Sequence, residues 1–203
     1  MPVTSFNPRV ALVAIDLQNG IVSLPVAPVP SAQVVANTAS LANTFRALGL
    51  PVIFVRTSYA PDGQVALKTR TDVPPSPPNL DPSWSELAPG LGVLPSDIVV
   101  TKHQWGAFTG TDLDVQLRRR GITDIVLTGI ATNIGVESTA RQAYENDYNI
   151  AIASDAVSTL SADAQTFALK VIFPMIAQVD TTANIQAALN ALGTSGGSYS
   201  KAA

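Results

Sequence analysis

An aspartate at position 16, a lysine at position 102 and a glycine-bounded turn, GIATNIG at 129–135, are the residues whose types and spacing suit chemistry. An acid and a base that converge beside a helix N-terminus make a site in which backbone N–H groups receive an anion or a developing oxyanion. The same residues have a purely structural reading: Asp16 caps a loop, Lys102 is solvated, and the glycines permit a tight strand-to-helix connection. Spacing alone does not choose between the two.

The elements around these residues are what would bring them together. Residues 10–15 (VALVAI) form a continuous aliphatic run ending at Asp16, the pattern of a strand buried on both faces. Apolar residues at helical spacing over 31–48, with Ser31 as N-cap and Gly49 as stop, predict a long helix, and 51–57 (PVIFVRT) a second strand. Residues 58–95 carry Pro61, Pro74, Pro75, Pro77, Pro78, Pro82, Pro89 and Pro95, too many breakers for a long helix or central strand. A loop of that length suits a lid or a subunit contact. Further strands are predicted at 98–101, 125–128, 150–153 and around 176–179, and helices at 112–120, 136–146, 161–171 and 181–192. Such alternation argues for a three-layer α/β/α fold, an open, mostly parallel sheet with helices on both faces. The reading is of a single domain over 1–193 and a flexible C-terminal tail at 194–203. In such sheets ligands gather at the carboxyl ends of the strands, where Asp16, Lys102 and the 129–135 turn all fall.

Composition narrows the function classes. With 46% hydrophobic and 13% charged residues, the 203-residue chain is too apolar for disorder and long enough for a large core. A net charge of −3, with residues 118–120 as the densest basic stretch, lacks the electrostatic footprint of a nucleic-acid partner. The N-terminal apolar run is too short for a membrane span and lacks a signal cleavage site, so no membrane partner is expected and a cytoplasmic location is the default. There is no cysteine, which excludes disulfides, thiolate metal sites and a cysteine nucleophile together. His103, the one histidine, reads as a solvated or ligand-facing loop residue. No metal and no cofactor is expected. Arg56, closing the second strand, suits a substrate carboxylate or, equally, a surface ion pair, and Gln18 and Trp105 would line the same cleft. The partners expected are a small-molecule substrate and a second copy of the chain, because the Pro-rich segment over 59–95, with Trp84 in it, would be costly to leave exposed.

Four ordered stretches, VALVAIDLQNG, VVTKHQWGAFTGTDLD, TGIATNIGVESTARQAYENDYNIAIASDAV and FPMIAQVDTTANIQAAL, resemble the isochorismatase-like hydrolase superfamily from end to end. The resemblance implies a six-stranded, Rossmann-like parallel sheet. It also implies a catalytic Asp, Lys and Cys in the superfamily's cysteine-hydrolase branch: Asp16 matches the Asp, Lys102 the Lys, and Gly135 stands at the cysteine position. A covalent amidase mechanism is therefore closed to this chain. Ser138 lies nearly a full helical turn further on, at about 1.5 Å rise per residue, and is not read as a substitute nucleophile. Isochorismatases proper also carry Gly here and cleave a vinyl ether without a covalent intermediate; by that analogy Asp16 is the general acid and Lys102 its electrostatic partner. The flanking ATNI and VESTAR look more like the cysteine branch, and closest to an uncharacterised subgroup with a TNIGVESTAR-type motif, so the alternative reading is a catalytically inactive relative acting as a small-ligand-binding or assembly protein. The resemblance further implies a cis peptide between Ile130 and Ala131, turning the N–H groups of Ala131 and Gly135 into the pocket and adding Ile130 and Ala131 to the substrate-binding candidates.

Overall fold

Every strand that the aliphatic runs predict lies in one six-stranded sheet, ordered β3-β2-β1-β4-β5-β6, with all neighbours parallel. The structure, a computed structural model, describes residues 3–73 and 78–195. The strands are β1 Val10–Ile15, β2 Val52–Thr57, β3 Ile98–Lys102, β4 Asp124–Ile130, β5 Asn149–Ser158 and β6 Gln178–Asp180. The helices are α1 Asn19–Val22, α2 Ser31–Ala47, α3 Leu113–Arg119, α4 Glu137–Glu145, α5 Ala162–Phe167, α6 Phe173–Ile176 and α7 Thr182–Ser195.

Strand alternation splits the apolar residues into two cores. Leu12, Ala14, Val52, Phe54 and Val126 pack under Val34, Leu41 and Phe45 of α2 and Ile185 and Leu189 of α7. Val13, Ile15, Ile53, Val55, Ile125 and Leu127 pack under Leu113 and Leu117 of α3, Ala140 and Ala143 of α4, and Phe173 of α6. The chain reverses its winding between β1 and β4, and these two strands open the crevice in which doubly wound sheets bind ligands. Gly129 makes that crevice possible: its φ is +127, and a Cβ there would collide with the backbone of Ile15. Only glycine lets the two carboxyl ends approach so closely.

Several boundaries differ from expectation, each for a local reason. β4 continues to Ile130, so Gly129 lies in the strand, and the turn is the wide π-type segment Thr132–Val136 leading into α4. β5 is 10 residues long; the polar Ser154 and Asp155 interrupt its apolar run, and the pairing with β4 shifts register between Leu127 and Gly129. Ser31 is the first residue of α2 and Pro30 holds the cap position without a side-chain cap, correcting the N-cap assignment. The helix expected to end at 171 continues through the wide turn Ala168–Ile172 into α6, and β6 begins only at Gln178. α7 extends to Ser195, two residues into the expected tail, whose remainder at 196–203 lies outside the described residues. Among the described residues of 58–95 there is no strand or α-helix, only the 3₁₀ turns Pro82–Ser85 and Pro89–Leu91. No helix among the described residues is long and apolar enough to cross a membrane.

Candidate active site

Asp16 is the first residue beyond β1, and its backbone leaves the strand with φ +54. That left-handed conformation is uncommon outside glycine, though aspartate tolerates it better than most. By strand alternation the residue after Ile15 would face the α2 layer; the turn sends its carboxylate to the opposite layer. There Oδ2 accepts from Lys102 Nζ at 2.7 Å and Oδ1 from Thr57 Oγ1 at 3.1 Å. Thr57 and Lys102 are register partners at the ends of β2 and β3, which is why they project side by side. Lys102 Nζ also donates to Thr57 Oγ1 and to the Gln104 carbonyl, both at 2.9 Å, so all three ammonium protons are placed.

This triad is almost out of contact with water: Asp16 is 7% exposed and Lys102 1%. Burial pushes the Asp16 carboxyl above its ordinary 3.8, while the Lys102 charge, its hydrogen bond and that of Thr57 pull it down less strongly. A carboxyl held up in this way can carry a proton to a substrate.

Gly135 lies in the buried wide turn and faces the carboxylate directly. A Cβ built there would stand 3.0 Å from Asp16 Oδ2, 3.1 Å from Ile15 Cγ2 and 3.5 Å from the Trp105 carbonyl. The structure thus brings Asp16, Lys102 and Gly135 together. The peptide between Ile130 and Ala131 is cis. Ile130 is buried in the core beneath α2 and Ala131 packs against that core.

The other sequence candidates take different places. Gln18 is fully buried with its amide spent on the backbone: Thr57 N donates to Oε1 at 2.7 Å, and Nε2 donates to the carbonyls of Thr57 and Trp84. It holds Thr57 in position rather than presenting a free group. Trp105 borders Gly135 through its backbone while the residue as a whole is 61% exposed. Arg56, one residue before Thr57, projects to the opposite face, where its Nε donates to Thr101 Oγ1 and it lines a separate cleft. His103 is partly buried; its Nδ1 donates to the Ser58 carbonyl at 2.6 Å. Ser138 sits within α4. No group of three or more His, Asp or Glu among the described residues is placed to hold a metal ion.

Two neighbours, Thr57 and Tyr59, escape the sequence reading as site residues, and Trp84, expected at a subunit contact, packs beside them. Thr57 is an unmarked strand end, and only its register with Lys102 gives it a role. Tyr59 stacks on Trp84 with ring centroids 6.3 Å apart, and burial, then the Asp16 charge, raise its phenol above 10.0. Trp84 in turn lies against Gly20 of α1, where any Cβ would collide with the indole. The only advance signal for this wall is the pair of aromatics in an otherwise Pro-rich stretch.

The chain as a whole is similar to known proteins. A family model described as "Isochorismatase domain" matches residues 10–184. An isochorismatase family protein from Burkholderia thailandensis has a solved structure that is 74% identical, with a TM-score of 0.91 over 93% of this chain and 99% of that one. The uncharacterized isochorismatase family protein YecD of Escherichia coli O157:H7 is 48% identical over 90% of this chain and 95% of its own. The ureidoacrylate amidohydrolase RutB of Pseudomonas savastanoi pv. phaseolicola is 32% identical over 84% of this chain and 80% of its own.

Proposed function

Since this chain belongs to the isochorismatase family, whose fold and hydrolase character it shares, we propose that it hydrolyses a small molecule without a covalent enzyme intermediate, Asp16 serving as general acid toward a carboxylated enol ether. The observation that carries the reading is that Gly135, which offers no nucleophile, directly faces the buried Asp16 carboxyl. Amide hydrolysis of the kind named for RutB would need a nucleophile at that place if it followed the cysteine branch, and this chain has no thiol.

In the proposed reaction the Asp16 proton passes to the terminal carbon of the enol double bond. The π electrons form the new C–H bond and leave an oxocarbenium cation. Water adds to the cation and returns a proton to the carboxylate, and the resulting hemiketal separates into a keto acid and an alcohol. Lys102 stabilises the transient Asp16 carboxylate at 2.7 Å, and Gln18, by clamping Thr57, keeps the acceptor geometry fixed. Ile130 and Ala131 lie in and against the core beneath α2, which leaves Trp105, bordering Gly135 through its backbone, as the substrate-binding candidate beside the acid. The proposal extends to a homo-oligomer in the cytoplasm acting without a cofactor; Val65, Leu67, Val73 and Leu80, exposed on the 58–95 segment, support the subunit contact.

The test monitors loss of isochorismate and a panel of other enol ethers with the wild-type chain and with Asp16→Asn. We expect consumption by the wild type and a loss of at least about 100-fold in the variant, which keeps the shape but delivers no proton. The high-pH limb of the wild-type rate should fall with an apparent pKa above 3.8, because the acid must stay protonated and burial raises it. Saturable binding of a small carboxylate with no turnover of any enol ether would replace this reading with that of a ligand-binding relative.

A further inference from the structure

On the face of the sheet away from Asp16, a cleft of about 580 Å³ is lined by Arg56, Glu86, Leu87, Ala88, Pro89, Gly92, Val93 and Val99. Its size falls within the range of small-molecule sites. Among the described residues the Arg56 guanidinium has one partner, Thr101 Oγ1 at 3.2 Å from Nε, and neither terminal nitrogen makes a hydrogen bond or ion pair. The Glu86 carboxylate, in the same lining, likewise has none. Aliphatic side chains accompany the two charges: Val93 is 37% exposed and Val99 44%.

We propose that this cleft binds the zwitterion of an apolar α-amino acid. The free fork of Arg56 receives the carboxylate in a two-point contact, which a guanidinium favours over a point charge. Glu86 receives the ammonium group. The two side chains form no ion pair with each other, so a ligand bearing both charged groups on one carbon can pair with each of them. Leu87, Val93 and Val99 cover the apolar side chain. Glu86 also selects against dianions such as phosphate, whose second charge it would repel. The site is separate from the proposed reaction, yet adjoins it through the backbone: Asn19 N donates to the Glu86 carbonyl at 2.8 Å and Ala88 N to the Leu17 carbonyl at 2.9 Å, on either side of Gln18.

Titration calorimetry with L-leucine tests this, with 4-methylvalerate, isopentylamine and inorganic phosphate as comparison ligands. We expect saturable L-leucine binding, weaker binding of the two single-charge analogues, none of phosphate, and at least about tenfold weaker L-leucine binding in Arg56→Gln. Val99→Asp, on an exposed edge position, provides a second variant in case the first folds poorly; its carboxylate should also weaken binding by about tenfold. Asp16→Asn should bind L-leucine as the wild type does. No saturable binding to the wild type, wild-type binding in both cleft variants, or loss in Asp16→Asn would overturn the proposal, the last by placing the ligand in the Asp16 pocket.

Discussion

Restoring a side chain at Gly135 tests how far the geometry of a nucleophile site persists. Its Cβ would stand 3.0 Å from Asp16 Oδ2 and 3.1 Å from Ile15 Cγ2, so both neighbours must give by a few tenths of an ångström. In Gly135→Cys the sulfur would then lie beside Asp16 and Lys102 where the wide turn enters α4, and the Lys102 cation and helix N-terminus both favour thiolate. We expect a thiol pKa below the ordinary value of about 8.5, and iodoacetamide labelling at neutral pH several-fold faster than that of a free thiol, the gain levelling off once the thiolate is fully formed. Labelling at or below the free-thiol rate would show that the Asp16 charge outweighs the cation. The acid itself has a matching signature in stability: with its folded pKa above 3.8, its contribution is complete below that value and is lost as pH rises through the folded one. Asp16 and Lys102 were legible in the sequence because each ends an aliphatic run, and a polar residue after such a run must lie at a sheet edge. Thr57 and Gln18 were not legible as a clamp, because their roles come from lateral register and a backbone bond 39 residues apart.

At the level of elements, the edge strand β3 depends on a tie made outside the sheet. Asp97, just before it, accepts from Arg46 Nε and Nη2 of α2 at 3.1 and 2.6 Å and from Leu94 N at 2.7 Å. With the Asp97 side chain only 2% exposed, this two-point ion pair is worth more than a surface one. Asp97→Ala should lower unfolding free energy in urea by about 1–3 kcal/mol, and more than Arg141→Ala, whose half-exposed side chain pairs with Glu137. Equal losses would show that α2 does not brace this edge. The alternation of runs disclosed every strand's existence, and the misplaced boundaries cluster where polarity misled. Ser154 and Asp155 face satisfied partners, Ser154 donating to the Asp180 carbonyl and Asp155 accepting from Thr182, so they continue β5 where an apolar criterion stops. α1, at 4 residues with none buried, has no periodicity to read.

For the whole molecule, light scattering at micromolar concentration should report a dimer or larger assembly, and Leu67→Ser, at a 55% exposed position on the long loop, should shift the balance toward monomer. A wild-type monomer would remove the subunit contact from the proposed function. The strand order carries a separate consequence. β1, β2 and β3 form one half of the sheet and β4, β5 and β6 the other, joined by the segment that contains Gly121 with φ +63. Asp16, Thr57 and Lys102 all belong to the first half, and only Gly135 and its turn come from the second. A chain divided after Arg120 would therefore yield one fragment with every polar group of the acid site and another with the floor beneath it. Neither fragment can exclude water from the Asp16 carboxyl by itself. Co-expressed, the two should reassemble along the β1–β4 seam and together recover the enol-ether hydrolysis proposed above, making the protein a split reporter in which turnover registers only the docking of its halves.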